Sequence, residues 1–151
     1  MISIKTKIPP PLVALVFSFL IISTKNTFPK VEIVWGFIIG SISIIFGLIV
    51  ILSAIILFKK NKTTISPLNP SNATKLIVHG LYNFSRNPMY LGLLLVLSGI
   101  SIIQNPIGGL LFISSFISYL NHFQIIPEEN AMLDLFKDDF LKYKENVRRW
   151  I

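Results

Sequence analysis

The chain has 151 residues, 52% of them hydrophobic and only 14% charged, with a mean hydropathy of +0.69. A water-soluble domain of this size lacks the polar surface to cover so much apolar side chain, so the composition points to an integral-membrane protein. Cysteine is absent, which excludes disulfides, thiolate metal sites and cysteine nucleophiles; the net charge of +7 fits topology signals better than nucleic-acid binding.

Four apolar stretches predict an all-α integral-membrane fold of about four transmembrane helices in one domain, residues 1–151. The first, Leu12 to Ile22, follows Pro9-Pro10-Pro11 and is short for a hydrocarbon core about 30 Å thick, which takes roughly 20 residues. A basic start before a short apolar core also describes a signal peptide, but no small-x-small cleavage pattern follows, so a tilted or shallow helix is expected. The second, Ile33 to Phe58, is long and uninterrupted, and closes an N-terminal portion, residues 1–58. The third runs from Pro88 to Ile103 and the fourth from Pro106 to Ile126. Only Gln104-Asn105 separates them, so they form a tight hairpin with a proline opening each helix.

Lys5, Lys7 and the Lys59, Lys60, Lys62, Lys75, Arg86 series predict that both termini and the 59–87 loop are cytoplasmic. Acids divide the chain differently. Glu32 is the single acid up to Ile126, whereas Glu128, Glu129, Asp134, Asp138, Asp139 and Glu145 crowd the remainder. There Met132, Phe136, Phe140, Tyr143 and Val147 recur at helical spacing, predicting a cytoplasmic amphipathic C-terminal helix.

Two segments carry chemistry. In the first, Val78 to Gly92, Asn87-Pro88 is good helix-start chemistry, Arg86 a fitting topology anchor and Tyr82 and Tyr90 fitting interface aromatics. Together they also suit a ligand. Gly80 and Gly92 admit a ligand or another backbone, Arg86 offers a planar donor fork, and the helix start favours an anion. In the second, Glu128-Glu129 follows Pro127, which suits a first helical turn; two adjacent carboxylates at a membrane edge are also most comfortable beside a cation. His79 and His122 are too few and too far apart for a metal centre, and no metal is expected.

The joint pattern Gly80-x-Tyr82-x-x-x-Arg86-Asn87-Pro88-Met89-Tyr90-x-Gly92, then Glu128-Glu129, then Phe136…Tyr143…Val147-x-Arg149, resembles the isoprenylcysteine carboxyl methyltransferase and phospholipid methyltransferase superfamily over roughly residues 63 to 151. The resemblance implies an S-adenosylmethionine-dependent membrane enzyme whose cofactor-binding and catalytic region is residues 59–151. It implies that His79, Gly80, Tyr82, Arg86, Asn87, Pro88 and Tyr90 line the cofactor site, and that Glu128 and Glu129 hold the methionine ammonium. Arg86, Tyr90 and Arg149 are the expected catalytic residues. The methyl acceptor is expected to be lipophilic and to enter from the bilayer. The expected reaction is methylation of a carboxylate, as in isoprenylcysteine carboxyl methylation, with Arg86 or Arg149 orienting the acceptor; the alternative, a phospholipid or other lipophilic amine, needs a base such as Glu129 or His79. Where the superfamily commonly has Phe-Gly-x-x-Tyr, this chain reads Phe136-Lys137-Asp138-Asp139-Phe140, a change that suits a regular helix. A non-enzymatic scaffold or lipid-binding protein is the competing reading, with Gly108-Gly109 and the basic loop serving helix packing and anionic lipids.

Overall fold

The structure, a computed structural model, describes residues 8–61 and 73–151. Lys5, Lys7, Lys62 and the middle of the 59–87 loop, on which part of the topology expectation rests, lie outside the described residues. Among the described residues all regular structure is helical: α1 (Pro10–Ser23), α2 (Gly36–Lys60), α3 (Pro88–Gln104), α4 (Pro106–Leu120) and α5 (Ile126–Asn146). Proline opens α1, α3 and α4, where its missing N–H costs nothing and its fixed φ is already helical.

Among the described residues two runs are long and apolar enough to cross a membrane, α2 and the continuous stretch Pro106–Asn146. The apolar part of the latter ends at Ile126, so Glu128 and Glu129 lie beyond the spanning segment. At 14 and 17 residues, α1 and α3 measure about 21 and 26 Å and fall short of a perpendicular crossing. Of the four crossings expected, two therefore have the length. The outward faces of α1, α2 and α4 expose Phe19, Phe37, Ile42 and Leu110, a surface that water would penalise and lipid would not.

Central to the bundle is α3, which packs against α1, α2 and α4. Glycines let α2 and α3 approach backbone to backbone. A Cβ on Gly40 would sit 2.7 Å from the Gly99 carbonyl oxygen and one on Gly99 2.4 Å from that of Gly40. One heptad along, Gly47 and Gly92 repeat the arrangement at 2.6 and 2.8 Å. Between the two levels the Ser43 hydroxyl donates to the Leu95 carbonyl at 2.8 Å. In lipid, where apolar area drives no helix association, close van der Waals contact of this kind holds helices together. Gly92 thus admits a helix backbone, one of the two uses its sequence position allowed.

At the α3–α4 hairpin, buried Asn105 accepts from the Gly108 N–H at 3.0 Å, capping α4. Its amide donates to Ile21 O and Thr24 Oγ1 at 3.4 and 3.3 Å, which pins the end of α1. From α4 the chain continues through a π-helical turn, Asn121–Ile125, directly into α5. Gln124, fully buried on this turn, donates to Ile8 O at 2.7 Å and anchors the start of α1. One core joins α1, α3 and α4 around Ile21, Leu97, Phe116 and Leu120. A second joins the end of α2 to α5 around Ala54, Ile77, Tyr82, Phe140 and Tyr143. Met132, Phe136 and Val147 also pack there, so the predicted apolar stripe of the C-terminal helix is the face it buries.

That helix is not regular. Lys137 sits at φ 43°, ψ −116°, inside α5, which corrects the expectation that lysine here accompanies an unbroken helix. The backbone adopts a conformation natural to glycine and strained for any side chain, at the position where the superfamily pattern has glycine. Removing the Cβ relieves on the order of 1–3 kcal/mol. Lys137→Gly is expected to raise the melting temperature of the purified protein by several degrees; an unchanged or lower value would show that the break is not strained.

Candidate functional site

Residues 79–87 cross the end of the bundle between α2 and α3. Gly80, at φ +66°, opens a short 3₁₀ turn, Gly80–Asn83, which turns Tyr82 inward while His79 stays exposed. The chain then passes buried Ser85 and the partly buried Arg86 and Asn87 into α3. Facing this loop is the start of α5 with Glu128 and Glu129. A strap formed by the chain after α5, residues 147–151, closes the third side.

The strap is stitched to the loop chiefly through backbone carbonyls. Arg86 N donates to Arg148 O at 3.0 Å, and Asn87 Nδ2 and Ser85 Oγ donate to Arg149 O at 3.0 and 3.4 Å. Trp150 Nε1 donates to Asn121 Oδ1 at 3.2 Å, tying the strap to the π-helical turn.

Glu129 is the centre of an internal ion network. Arg86 Nη2 reaches its Oε1 at 2.7 Å, and Arg149 grips it with two prongs, Nη2 to Oε2 at 2.7 Å and Nε to Oε1 at 3.1 Å. The other Arg86 Nη donates to the carbonyls of Val147 and Lys144. The Arg86 and Glu129 side chains are only 8% and 10% exposed, whereas Arg149 is 32% exposed. Burial alone raises the Glu129 carboxyl pKa, but the hydrogen bonds from Arg149 and Arg86 outweigh it and hold the group below the usual carboxylate range.

Glu128 has a different environment. The one hydrogen bond it takes among the described residues comes from the Tyr90 hydroxyl. Burial pushes its carboxyl up; the Tyr90 bond partly offsets this and the neighbouring Glu129 charge adds to it, for a value of about 7. Two adjacent carboxylates that look equivalent in sequence are thus separated: one is satisfied within the protein and the other is left to the cavity.

That cavity has a volume of about 380 Å³ and lies between the loop, α2, α3 and α5. Lys75, Tyr82, Arg86, Asn87, Tyr90, Glu128, Glu129 and Tyr143 contribute the polar part of its wall. The structure therefore brings together six of the residues expected at the cofactor site. It sets His79, Gly80 and Pro88 outside the cavity wall, with His79 and Gly80 exposed and Pro88 buried at the start of α3. Arg149, expected to be catalytic, also lies outside the cavity wall and is paired with Glu129. His122 lies exposed on the π-helical turn, its ring edge-on to Phe123.

Sequence reasoning missed the apolar wall, formed in part by Ile51 and Phe58 of α2, Met89 and Leu93 of α3, and Pro9 to Pro11 at the start of α1. It also missed Ser85, 1% exposed, whose hydroxyl accepts from the Asn87 N–H at 3.1 Å. The stripe containing Phe140 and Tyr143 was the available signal for part of this wall. For Pro9 to Pro11, distant in sequence, there was none.

A family model described as phospholipid methyltransferase matches residues 35–139 of the chain. A protein of Haemophilus influenzae, described only as uncharacterized, is 38% identical over 63 residues, covering 42% of this chain and 100% of its own length. No solved structure matches the chain.

Proposed function

The chain belongs to the phospholipid methyltransferase family, a family of membrane methyltransferases, and on that premise we propose that it methylates the amine of a lipophilic acceptor at the expense of S-adenosylmethionine, the acceptor reaching the cavity from the bilayer. The observation that carries this reading is the inequality of the two glutamates. Glu129 is matched by Arg86 and Arg149, so Glu128 is the carboxylate available to a cationic ligand or to a proton in transit.

The wall suits the cofactor. It combines a carboxylate without an ion-pair partner among the described residues, the Asn87 amide at the start of α3, and aromatic and aliphatic surface. When bound, S-adenosylmethionine supplies an electrophilic methyl group on a positively charged sulfur. Tyr90 fixes the orientation of the Glu128 carboxylate. An acceptor nitrogen attacks only when neutral, and a carboxyl near pH 7 is matched to taking the proton it must lose. Transfer needs the acceptor in line with the breaking bond, so the rigid wall contributes by positioning. Arg86 and Arg149 are positioning residues that place Glu129 and the strap. The same fact favours amine over carboxylate. A carboxylate acceptor needs a cation to orient it, and the two arginines expected in that role are engaged by Glu129 and, for Arg86, by backbone carbonyls as well.

The test is transfer of a radiolabelled methyl group by the purified protein to a lipid extract, followed by mild alkaline treatment of the product. The amine reading expects label that stays non-volatile, on a base-stable N-methyl group. Label released as methanol would identify a methyl ester and overturn it.

A further inference from the structure

Five aromatic side chains, Phe58, Tyr82, Tyr90, Phe140 and Tyr143, stand on the cavity wall with Glu128. Two of their hydroxyls are used by the protein: Tyr143 donates to the Tyr82 carbonyl oxygen at 2.7 Å, and Tyr90 donates to Glu128. Those rings are thereby held in place, and what they offer a ligand is ring surface. The rings meet at steep angles. Phe58 and Tyr82 lie 5.6 Å apart at 83°, and Phe140 and Tyr143 6.4 Å apart at 60°, so each pair forms a corner and not a stack.

A corner of aromatic rings backed by a carboxylate attracts a cation through the ring quadrupoles and the full charge together. It discriminates among cations by their hydration. A primary ammonium brings three N–H groups that each need an acceptor, and ring surface provides none. A methylated ammonium has fewer or no N–H groups, is weakly hydrated and fits against rings. We propose that Phe58, Tyr82, Phe140 and Tyr143, with Glu128, form an aromatic box that binds the N-methylated ammonium end of the acceptor in preference to an uncharged group of the same shape. The proposal rests on the amine reading above, and it assigns the residues that recognise the methylated head.

A methylated onium could also be the sulfonium of the cofactor, and the experiment separates the two. The full-length protein, in a detergent without a choline head group, is titrated with choline and with its uncharged isostere carrying carbon in place of nitrogen. Ligand-observed NMR reads binding, with and without saturating S-adenosylhomocysteine, whose sulfur is neutral. The expected result is saturable choline binding that survives S-adenosylhomocysteine and is absent for the isostere. Phe58→Leu is expected to weaken choline about tenfold while leaving S-adenosylhomocysteine affinity unchanged, and Phe58→Tyr to restore it. Equal binding of the isostere, or a Phe58→Leu protein with full choline affinity, would overturn the box. Competition between choline and S-adenosylhomocysteine would place the onium on the cofactor side and overturn the acceptor assignment. Failure of S-adenosylhomocysteine itself to bind would count against the methyl-transfer reading, while the box would still be judged on choline and its isostere.

Discussion

Glu129→Gln is expected to lower the melting temperature of the detergent-solubilised protein by on the order of 10 °C. The substitution leaves the Arg86 guanidinium, 8% exposed, without its counter-charge. Breaking a buried pair by removing one partner costs about 3–5 kcal/mol, because the remaining charge stays desolvated. In a protein of this length each kcal/mol shifts the midpoint by about 2–4 °C. Arg149, 32% exposed, keeps its water and adds little. The pH dependence has a definite sign. The Glu129 pKa is depressed in the folded protein, so its contribution is present above the ordinary value of 4.5 and is lost as pH falls below it. Wild type is therefore expected to lose stability on acidification, and the glutamine variant to lack that component. Thermal melts across pH check both expectations. A variant as stable as wild type would mean that the two arginines are content without Glu129.

Glu128→Gln is expected to do the opposite: methyl transfer falls by about 10²–10⁴-fold, the usual contribution of a positioned acid–base group, with no loss of stability. The folded pKa of Glu128 is raised from 4.5 to about 7. Its contribution to ligand-free stability is thus full below about pH 4.5 and is lost as pH rises through about 7, a difference of roughly 3 kcal/mol. The glutamine variant lacks this slope and is expected to match or exceed wild type at neutral pH. Activity runs the other way, rising with pH to a plateau as Glu128 ionises, with a midpoint at or below about 7 because a bound cation favours the ionised form. Parallel rate and melting profiles over pH separate the two effects. Equal losses of activity and stability in Glu128→Gln would reduce the residue to a structural role.

The contrast between neighbouring glutamates marks where the sequence stops being readable. Helix starts at Pro88 and Pro106 were legible because proline has few other uses there, and the buried stripe of α5 because helical periodicity is a local property. The meeting of Arg86 with Glu128 and Glu129 was legible from complementary demands, a donor fork on one segment and two carboxylates suited to a cation on the other, and from a resemblance spanning more than half the chain. What each glutamate does there was not, since the Arg149 that claims Glu129 arrives from a strap whose path is decided by backbone hydrogen bonds to residues 85–87. Gly92 carried the right signal, close approach, with its partner unidentified until the carbonyl of Gly47 was seen beside it. Lys137 misled because helix propensity describes the residue, whereas the backbone at that point answers to the turn that brings Phe140 and Tyr143 to the cavity.

Whether the hollow beside Glu128 takes S-adenosylmethionine is tested most directly by calorimetric titration of S-adenosylhomocysteine into the purified wild-type protein and its Glu128→Gln and Asn87→Ala variants. The expected result is one-site saturable binding to wild type and weaker binding to both variants, each still folded by thermal melt. A folded wild-type protein that gives no binding heat at any temperature tried, or variants that bind as wild type does, would contradict the account.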